Sequence, residues 1–357
     1  MAVAIRSKAA ELFESTEQVI GQVRARKLMA SLLDRQWQVH QGLLEKSSGA
    51  ILAGRSGSGK TMTARLMCQH LGLPYAEADA TRYTEGGYKG LDLQQIFIPL
   101  LDAAARMKDE LVTSERVEAL GKATPKPTSV IKRLDIEEIV EIAQTGVILL
   151  DEMDKWMLRV NRETGQVDKS IQSELLKMIE GSIEYVNDSD EEVGIHFDTS
   201  KVLIICAGAF VGLFQQVKRQ HHIDGDIRDN EESFVPLITP EDFERYGLLP
   251  ELAGRLSRHI FTRSLRTADL RAILSREGGL IEEYRTRFEA YGCEWAVGEA
   301  GEIRIAQIAI ERDTGARALE HVMSKKFDLA LFEAAVSEMP VKVVLEPSMD
   351  KAEVRPA

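Results

Sequence analysis

Three runs of consecutive apolar residues punctuate the chain: Ala50-Ile-Leu-Ala53, Val147-Ile-Leu-Leu150 and Val202-Leu-Ile-Ile-Cys-Ala207. Apolar residues without polar alternation predict strands covered on both faces, as in a parallel sheet. Leu73 to Asp79 reads as a further strand. Helical spacing fills the intervals. Leu28, Leu32, Leu33 and Trp37 recur on one face between Val23 and Leu44. Thr61 to His70 and Ile131 to Ala143 also read as helices. Ile171, Leu175, Met178 and Ile179 share a face of a helix over Ser170 to Glu180, which Gly181 ends. Pro99 interrupts the long helical zone after residue 90, and Thr124-Pro-Lys-Pro-Thr128 marks a linker or loop tip, since proline cannot sit in a helix interior. Residues 215–236 are polar, with Asp224-Gly225 turn chemistry beside His221-His222, and read as a surface loop.

After Ile260-Phe261 the pattern changes. Helical segments run over Thr267 to Glu277, Leu280 to Tyr291, Ile303 to Arg312 and Ala316 to Ser337. A single late strand, Val341 to Leu345, follows, and the chain from Pro347 onward is expected to fray. The architecture is α/β: a parallel sheet flanked by helices over residues 1–262, then a smaller, mainly helical domain over 263–357.

Composition narrows the class. The chain has 357 residues, 44% hydrophobic and 29% charged, as in a soluble globular protein. Its net charge of −12 disfavours a general nucleic-acid binder, which needs clustered Lys and Arg. No 18-residue apolar run predicts a membrane span, and the N-terminus lacks the apolar core of a signal peptide. Cys68, Cys206 and Cys293 are far apart, which fits a reducing, cytoplasmic setting and small buried side chains better than a zinc site.

Two stretches carry chemistry. Gly54-Arg-Ser-Gly-Ser-Gly-Lys-Thr61 follows the first apolar run and opens a helix. Glycines let such a loop wrap a polyphosphate with its N–H groups inward, and the helix N-terminus adds positive dipole. Lys60 would reach the β- and γ-phosphates and Thr61 would ligate Mg²⁺, with Met62 next along the helix. Gly54, Arg55, Ser56, Gly57, Ser58 and Gly59 form the cradle. The second stretch is the acidic end of the run through Leu150: Asp151 is placed to hold Mg²⁺, and Glu152 to orient or deprotonate a water.

Together these motifs describe a P-loop ATPase with a lid. The sequence further resembles the AAA+ unfoldases ClpX and HslU over roughly residues 15–345. The matching pieces are Val19-Ile-Gly-Gln22, the Gly54–Thr61 loop, Ala78-Asp-Ala-Thr81 leading into Gly87-Tyr-Lys-Gly90, Leu150-Asp-Glu-Met-Asp-Lys155, Leu175 to Gly181, Asp198-Thr-Ser-Lys201, Gly208-Ala-Phe210, Gly247 to Arg255, and Thr314-Gly-Ala-Arg317. The resemblance implies a homo-hexameric ring that hydrolyses ATP at subunit boundaries and threads protein substrates through its channel. Arg255 matches the arginine finger given to a neighbouring subunit, and Arg317 the sensor arginine of the lid. Val19 and Ile20 match residues that pack on the adenine. Tyr88 and Lys89 match the pore loop, where an aromatic side chain grips polypeptide. A lysine at this place would make a positive collar in the ring, suiting acidic substrate segments.

The chain also departs from that pattern. The zinc-binding N-terminal domain of ClpX has no counterpart. An insertion near residues 104–135 is absent from ClpX and shorter than the intermediate domain of HslU. Residues 181–197 are acidic where ClpX has a basic substrate-selecting loop. No Ile-Gly-Phe tripeptide, through which ClpX docks its peptidase, occurs in residues 215–236. No polar sensor is evident at the end of the Cys206 strand. These departures favour a stand-alone remodeller over a protease subunit, with any peptidase or adaptor unknown. The alternatives are a DNA-acting motor sharing the ATP site and a scaffold with slow turnover.

Overall fold

The protein is described by a computed structural model covering residues 7–46, 48–84, 91–119, 133–158, 169–187, 194–223, 234–312, 314–346 and 348–357. The chain divides into two units. One comprises Met1–Gln18, Arg24–Ala53 and Lys60–Phe261; the other comprises Val19–Val23, Gly54–Gly59 and Thr262–Ala357. The short segment at Val19 and the glycine-rich loop therefore group with the C-terminal unit, not with the sheet.

In the first unit the elements run α1 (Ala9–Glu14), α2 (Val23–His40), β1 (Ala50–Ala53), α3 (Lys60–Leu71), β2 (Tyr75–Asp79), α4 (Ile98–Ala119), α5 (Arg133–Ala143), β3 (Val147–Asp151), α6 (Ser170–Glu180), β4 (Ile183–Val186), β5 (Ile195–Asp198), β6 (Leu203–Gly208), α7 (Val211–Gln220), α8 (Pro240–Tyr246), α9 (Pro250–Arg255) and β7 (Arg258–Phe261). The strands β2-β3-β6-β1-β7, in that order, form one parallel sheet. Successive strand side chains point to opposite faces, and both faces are covered. Ile51, Ala53, Ile148, Leu150, Ile204 and Cys206 share one apolar layer with Phe97, Leu100, Leu175 and Met178. Ala50, Leu52, Val147, Leu149, Leu203 and Ile205 share the other with Leu12, Met29, Leu33 and Met67. The unbroken apolar runs in the sequence are this two-sided burial.

The second unit holds α10 (Thr267–Ser275), α11 (Leu280–Ala290), α12 (Glu299–Glu311) and α13 (Arg317–Ala335), with β8 (Cys293–Trp295), β9 (Val341–Val344) and β10 (Glu353–Pro356). Its core brings together Leu270, Leu274, Phe288, Ile305, Ala309, Met323 and Phe327. Phe327 stacks on Trp295 at 5.3 Å between ring centres.

The structure corrects several expectations. The late strand is not alone: β9 pairs with β8 in parallel and with β10 in antiparallel register. The tail is therefore not frayed. Buried Lys326 donates to the Met349 and Asp350 carbonyls at 3.1 and 3.0 Å, tying the tail to α13. Residues 215–236 are not all loop, because α7 runs to Gln220. Leu213, Phe214 and Val217 of that helix are buried, and its remaining side chains are polar or exposed. Pro99 does not interrupt a helix; it stands in the first turn of α4, where a missing N–H costs nothing. The acidic segment after Gly181 contains an antiparallel hairpin, β4 with β5. Among the described residues no helix is long and apolar enough to cross a membrane.

Candidate functional site

Because all five strands are parallel, their carboxyl ends share one rim, the edge where ligands bind in open α/β sheets. Asp151 ends β3 beside Asp79 of β2, its register partner. The two aspartates do different work. Asp79 is a turn cap, accepting hydrogen bonds from the Thr81 N–H and hydroxyl at 2.9 and 2.6 Å. Asp151 accepts the N–H of Glu152 at 2.9 Å. Glu152 itself has φ of 59°, in the left-handed region. That conformation costs a non-glycine residue about 1–3 kcal/mol. Its carboxylate, half exposed, lies 3.7 Å from the Lys155 ammonium.

The turn after β3 is anchored by two buried side chains. Trp156 is fully buried and donates its indole N–H to the Ala80 carbonyl at 2.7 Å. This joins the turn after β3 to the turn after β2. Asp154, 2% exposed, accepts the N–H of Phe210 at 3.1 Å. Phe210 is also left-handed, at φ of 47°, and opens α7 just beyond β6. The other Asp154 oxygen has no protein partner among the described residues and stands 2.5 Å from where a Cβ on Gly208 would lie. The polar group at the end of β6 thus comes from the neighbouring strand. The signal was present as the third acid of Asp151-Glu-Met-Asp154, but spacing alone does not show that this acid is buried.

The second unit holds the glycine-rich loop against the turn before α13. Gly57 has φ of 69°, and a Cβ there would lie 2.3 Å from the Thr314 carbonyl oxygen. Gly315 faces it, and a Cβ there would lie 2.7 Å from the carbonyl oxygens of Ser56 and Gly57. Backbone meets backbone, and the Ala316 N–H donates to the Gly57 carbonyl at 3.1 Å. Arg317 donates to the Ser56 hydroxyl at 2.9 Å. Ser58 hydrogen-bonds the Thr262 hydroxyl at 2.7 Å and donates to the Arg55 carbonyl at 2.8 Å. Val19 is buried, its Cγ1 3.0 Å from a Cβ position on Gly59, and Ile20 is partly exposed. Gln22 bonds both backbone groups of Arg263, donating to its carbonyl at 2.8 Å and accepting its N–H at 3.0 Å. The structure therefore brings Val19, the loop and Arg317 into one body.

Lys60 begins α3 in the first unit and is 8% exposed; Thr61 and Met62 follow in its first turn, both partly exposed. Arg255 ends α9 and is mostly exposed. Its Nε donates to Glu180 Oε1 at 2.9 Å, with Nη2 at 2.7 Å from the same oxygen. Tyr88 and Lys89 lie outside the described residues, as do positions 120–132 of the insertion and 224–233 of the polar stretch. The flanks of the pore segment are described: Thr84 donates to the Leu91 carbonyl and Leu91 to the Arg82 carbonyl, at 3.1 and 3.0 Å. The three cysteines are buried. Burial pushes the Cys206 thiol up to about 12 and raises that of Cys68, so neither is a ready nucleophile at neutral pH. Among the described residues no three His, Cys, Asp or Glu side chains gather as a metal site.

A glycine-rich loop between a buried strand and a helix, an acid-tipped strand on the same parallel sheet, and a mainly helical second unit are the architecture of an α/β P-loop ATPase. The family model of the AAA domain (Cdc48 subfamily) matches residues 45–259. The ATP-dependent Clp protease ATP-binding subunit ClpX 2 of Wolinella succinogenes is 30% identical over 316 residues, covering 85% of this chain and 70% of its own. ClpX of Treponema denticola is 28% identical over 346 residues, covering 89% and 75%. ClpX of Azotobacter vinelandii is 31% identical over 309 residues, covering 81% and 62%. The chain belongs to the AAA ATPases and, within them, to the ClpX family.

Proposed function

We propose that this ATPase of the unfoldase and chaperone type hydrolyses ATP in a homo-hexameric ring to pull folded proteins apart. The observation that carries the reading is that a chain of the ClpX family holds both the Gly54–Thr61 loop motif and a buried strand, β3, that ends in Asp151-Glu152. Lys60 and the loop N–H groups bind the phosphates, and Val19 and Ile20 line the base. Glu152 takes or orients the proton of the attacking water, its side chain aimed by the left-handed backbone. Arg317 contacts the phosphates from its own chain. Arg255 of one subunit reaches the γ-phosphate held by the next, where a guanidinium offsets charge spread over the transferred phosphoryl.

Thr61 and Asp151 offer a hydroxyl and a carboxylate, the hard oxygen donors Mg²⁺ takes alongside phosphates and water. When bound, the ion would neutralise phosphate charge. The grip on polypeptide belongs in this reading to Tyr88 and Lys89. The decisive experiment is Glu152→Gln in the full chain. It should keep nucleotide binding while losing hydrolysis and ATP-driven unfolding of a fluorescent model substrate. Hydrolysis at the unmodified rate would sink the assignment of Glu152; an active ATPase that never unfolds substrate would sink the wider reading.

A second reading, as ATP-binding subunit of a protease, draws on the names of the relatives. The stand-alone reading draws on residues 215–236, which carry no Ile-Gly-Phe tripeptide. Peptide release on adding a Clp-type peptidase separates the two.

A further inference from the structure

Helix α6 touches α9 near both of its ends. At the start, the buried Gln172 side chain donates to the Gly247 carbonyl at 3.1 Å and accepts the Leu249 N–H at 2.8 Å. Leu249 is the residue from which α9 begins, with Pro250 in its first turn. At the finish, eight residues further along α6, Glu180 takes Arg255. The two helices thus run side by side, with one α6 residue fixing where α9 starts and another meeting its last side chain.

The Glu180 contact has a particular geometry. A single carboxylate oxygen lies within reach of Nε and Nη2, at 2.9 and 2.7 Å. That is the side edge of the guanidinium. Its end edge, Nη1 with Nη2, keeps the fork that matches a phosphate. The pair is exposed, 60% for Arg255 and 42% for Glu180, so it adds little to stability. Its effect lies in orientation: a guanidinium held by one edge has fewer arrangements to lose when the other meets an anion.

The surroundings keep Glu180 in place. Gly181, at φ of 103°, ends α6, and Lys46 donates to the Glu180 carbonyl at 2.6 Å. Burial and the charge of Arg255 lower the pKa of the Lys46 ammonium, against the opposing pull of Glu180 and Asp198. Two cations and two anions therefore share this end of the helix.

We infer that Glu180 is a positioning residue for Arg255, presenting its guanidinium edge-on to the phosphates bound by the neighbouring subunit. The inference rests on the proposed role of Arg255 in trans. A staple between α6 and α9 would affect folding alone; a positioning residue affects turnover only through Arg255.

The test is a double-mutant cycle on ATP turnover by the assembled full chain, with melting temperature and nucleotide affinity measured alongside. Glu180→Ala should lower kcat about tenfold with affinity and melting unchanged, since small misplacements of a catalytic group carry penalties of this order. Glu180→Gln, which keeps an acceptor oxygen, should recover most of the rate. With Arg255 already replaced by alanine, Glu180→Ala should cost less than about twofold, the non-additivity of two groups acting as one. The inference is overturned if Glu180→Ala leaves kcat unchanged in the parent, or costs the same factor in both backgrounds. If Arg255→Ala alone leaves kcat unchanged, the trans role falls and the inference with it. A large effect of Arg255→Ala with additive costs sinks only the inference.

Discussion

Arg263 and Arg255 each lie 2.7 Å from a carboxylate oxygen, yet they are held in opposite ways. Arg263 forks onto both oxygens of Asp269, Nη1 to Oδ2 at 2.7 Å and Nη2 to Oδ1 at 2.9 Å. Both side chains are largely buried, 17% and 12% exposed, and Asp269 Oδ2 also accepts the Arg266 N–H at 2.7 Å. Gly21 packs so closely that a Cβ there would lie 2.7 Å from Asp269 Oδ1. All of these contacts lie inside the second unit. Arg255 meets one oxygen by one edge, in the open. A charge that is fully paired and shielded builds structure; a charge that is half paired and solvated can be offered to another molecule. On the proposed reading, the two arginines divide these tasks between the two units.

The largest effect should come from Arg255. Arg255→Ala is expected to lower kcat about a thousandfold, the scale at which an arginine in this role acts. Its melting temperature should hardly move, because exposed pairs contribute little to stability. Arg255→Lys should recover little of the rate, since an ammonium lacks the planar fork. A variant that unfolds as readily as it loses activity would erase the contrast with Arg263.

Asp269→Ala should do the reverse. It leaves the Arg263 guanidinium largely buried without its carboxylate and removes the acceptor for the Arg266 N–H at the start of α10. Unfolding free energy should drop by about 2–4 kcal/mol, read from urea curves. Unchanged curves would show that the buried fork is as idle as an exposed one.

This contrast explains what was legible in the chain. The strands of the parallel sheet were legible because burial on both faces leaves unbroken apolar runs, and the loop from Gly54 because its glycines recur at a fixed spacing between a strand and a helix. Asp151 and Glu152 were legible because they end such a run. Glu180 and Asp154 were not, since their partners, Arg255 and Phe210, are 75 and 56 residues away and only the folded chain brings them together. The strand at Glu353 was missed for a different reason: its ladder partner β9 is close in sequence, but Glu353-Val-Arg-Pro356 carries a single aliphatic residue and a proline and gives no strand period. Helix α7 was missed because two of its three buried residues, Leu213 and Phe214, precede the polar stretch that begins at residue 215.

The smallest effect, and the sharpest on mechanism, is a pH dependence. Burial of Asp269 alone would raise its pKa, but hydrogen bonds from Arg263 and the Arg266 backbone, with both arginine charges, outweigh it and hold the carboxyl below its ordinary 3.8. A group whose folded pKa lies below its unfolded one stabilises the fold above the unfolded value. That stabilisation is lost as pH falls through the folded value, where the native state must also bind the proton. Asp269→Asn keeps the side-chain shape and a carbonyl oxygen but cannot ionise. The stability gap between the parent and Asp269→Asn should therefore stay constant from about pH 7 to about pH 5 and close progressively below about pH 4. Urea unfolding at each pH measures it, with Glu180→Gln as the exposed counterpart, whose gap should be small throughout. If the Asp269 gap persists undiminished to about pH 3, the pair acts through shape and neutral hydrogen bonds, and charge is not what separates the two arginines.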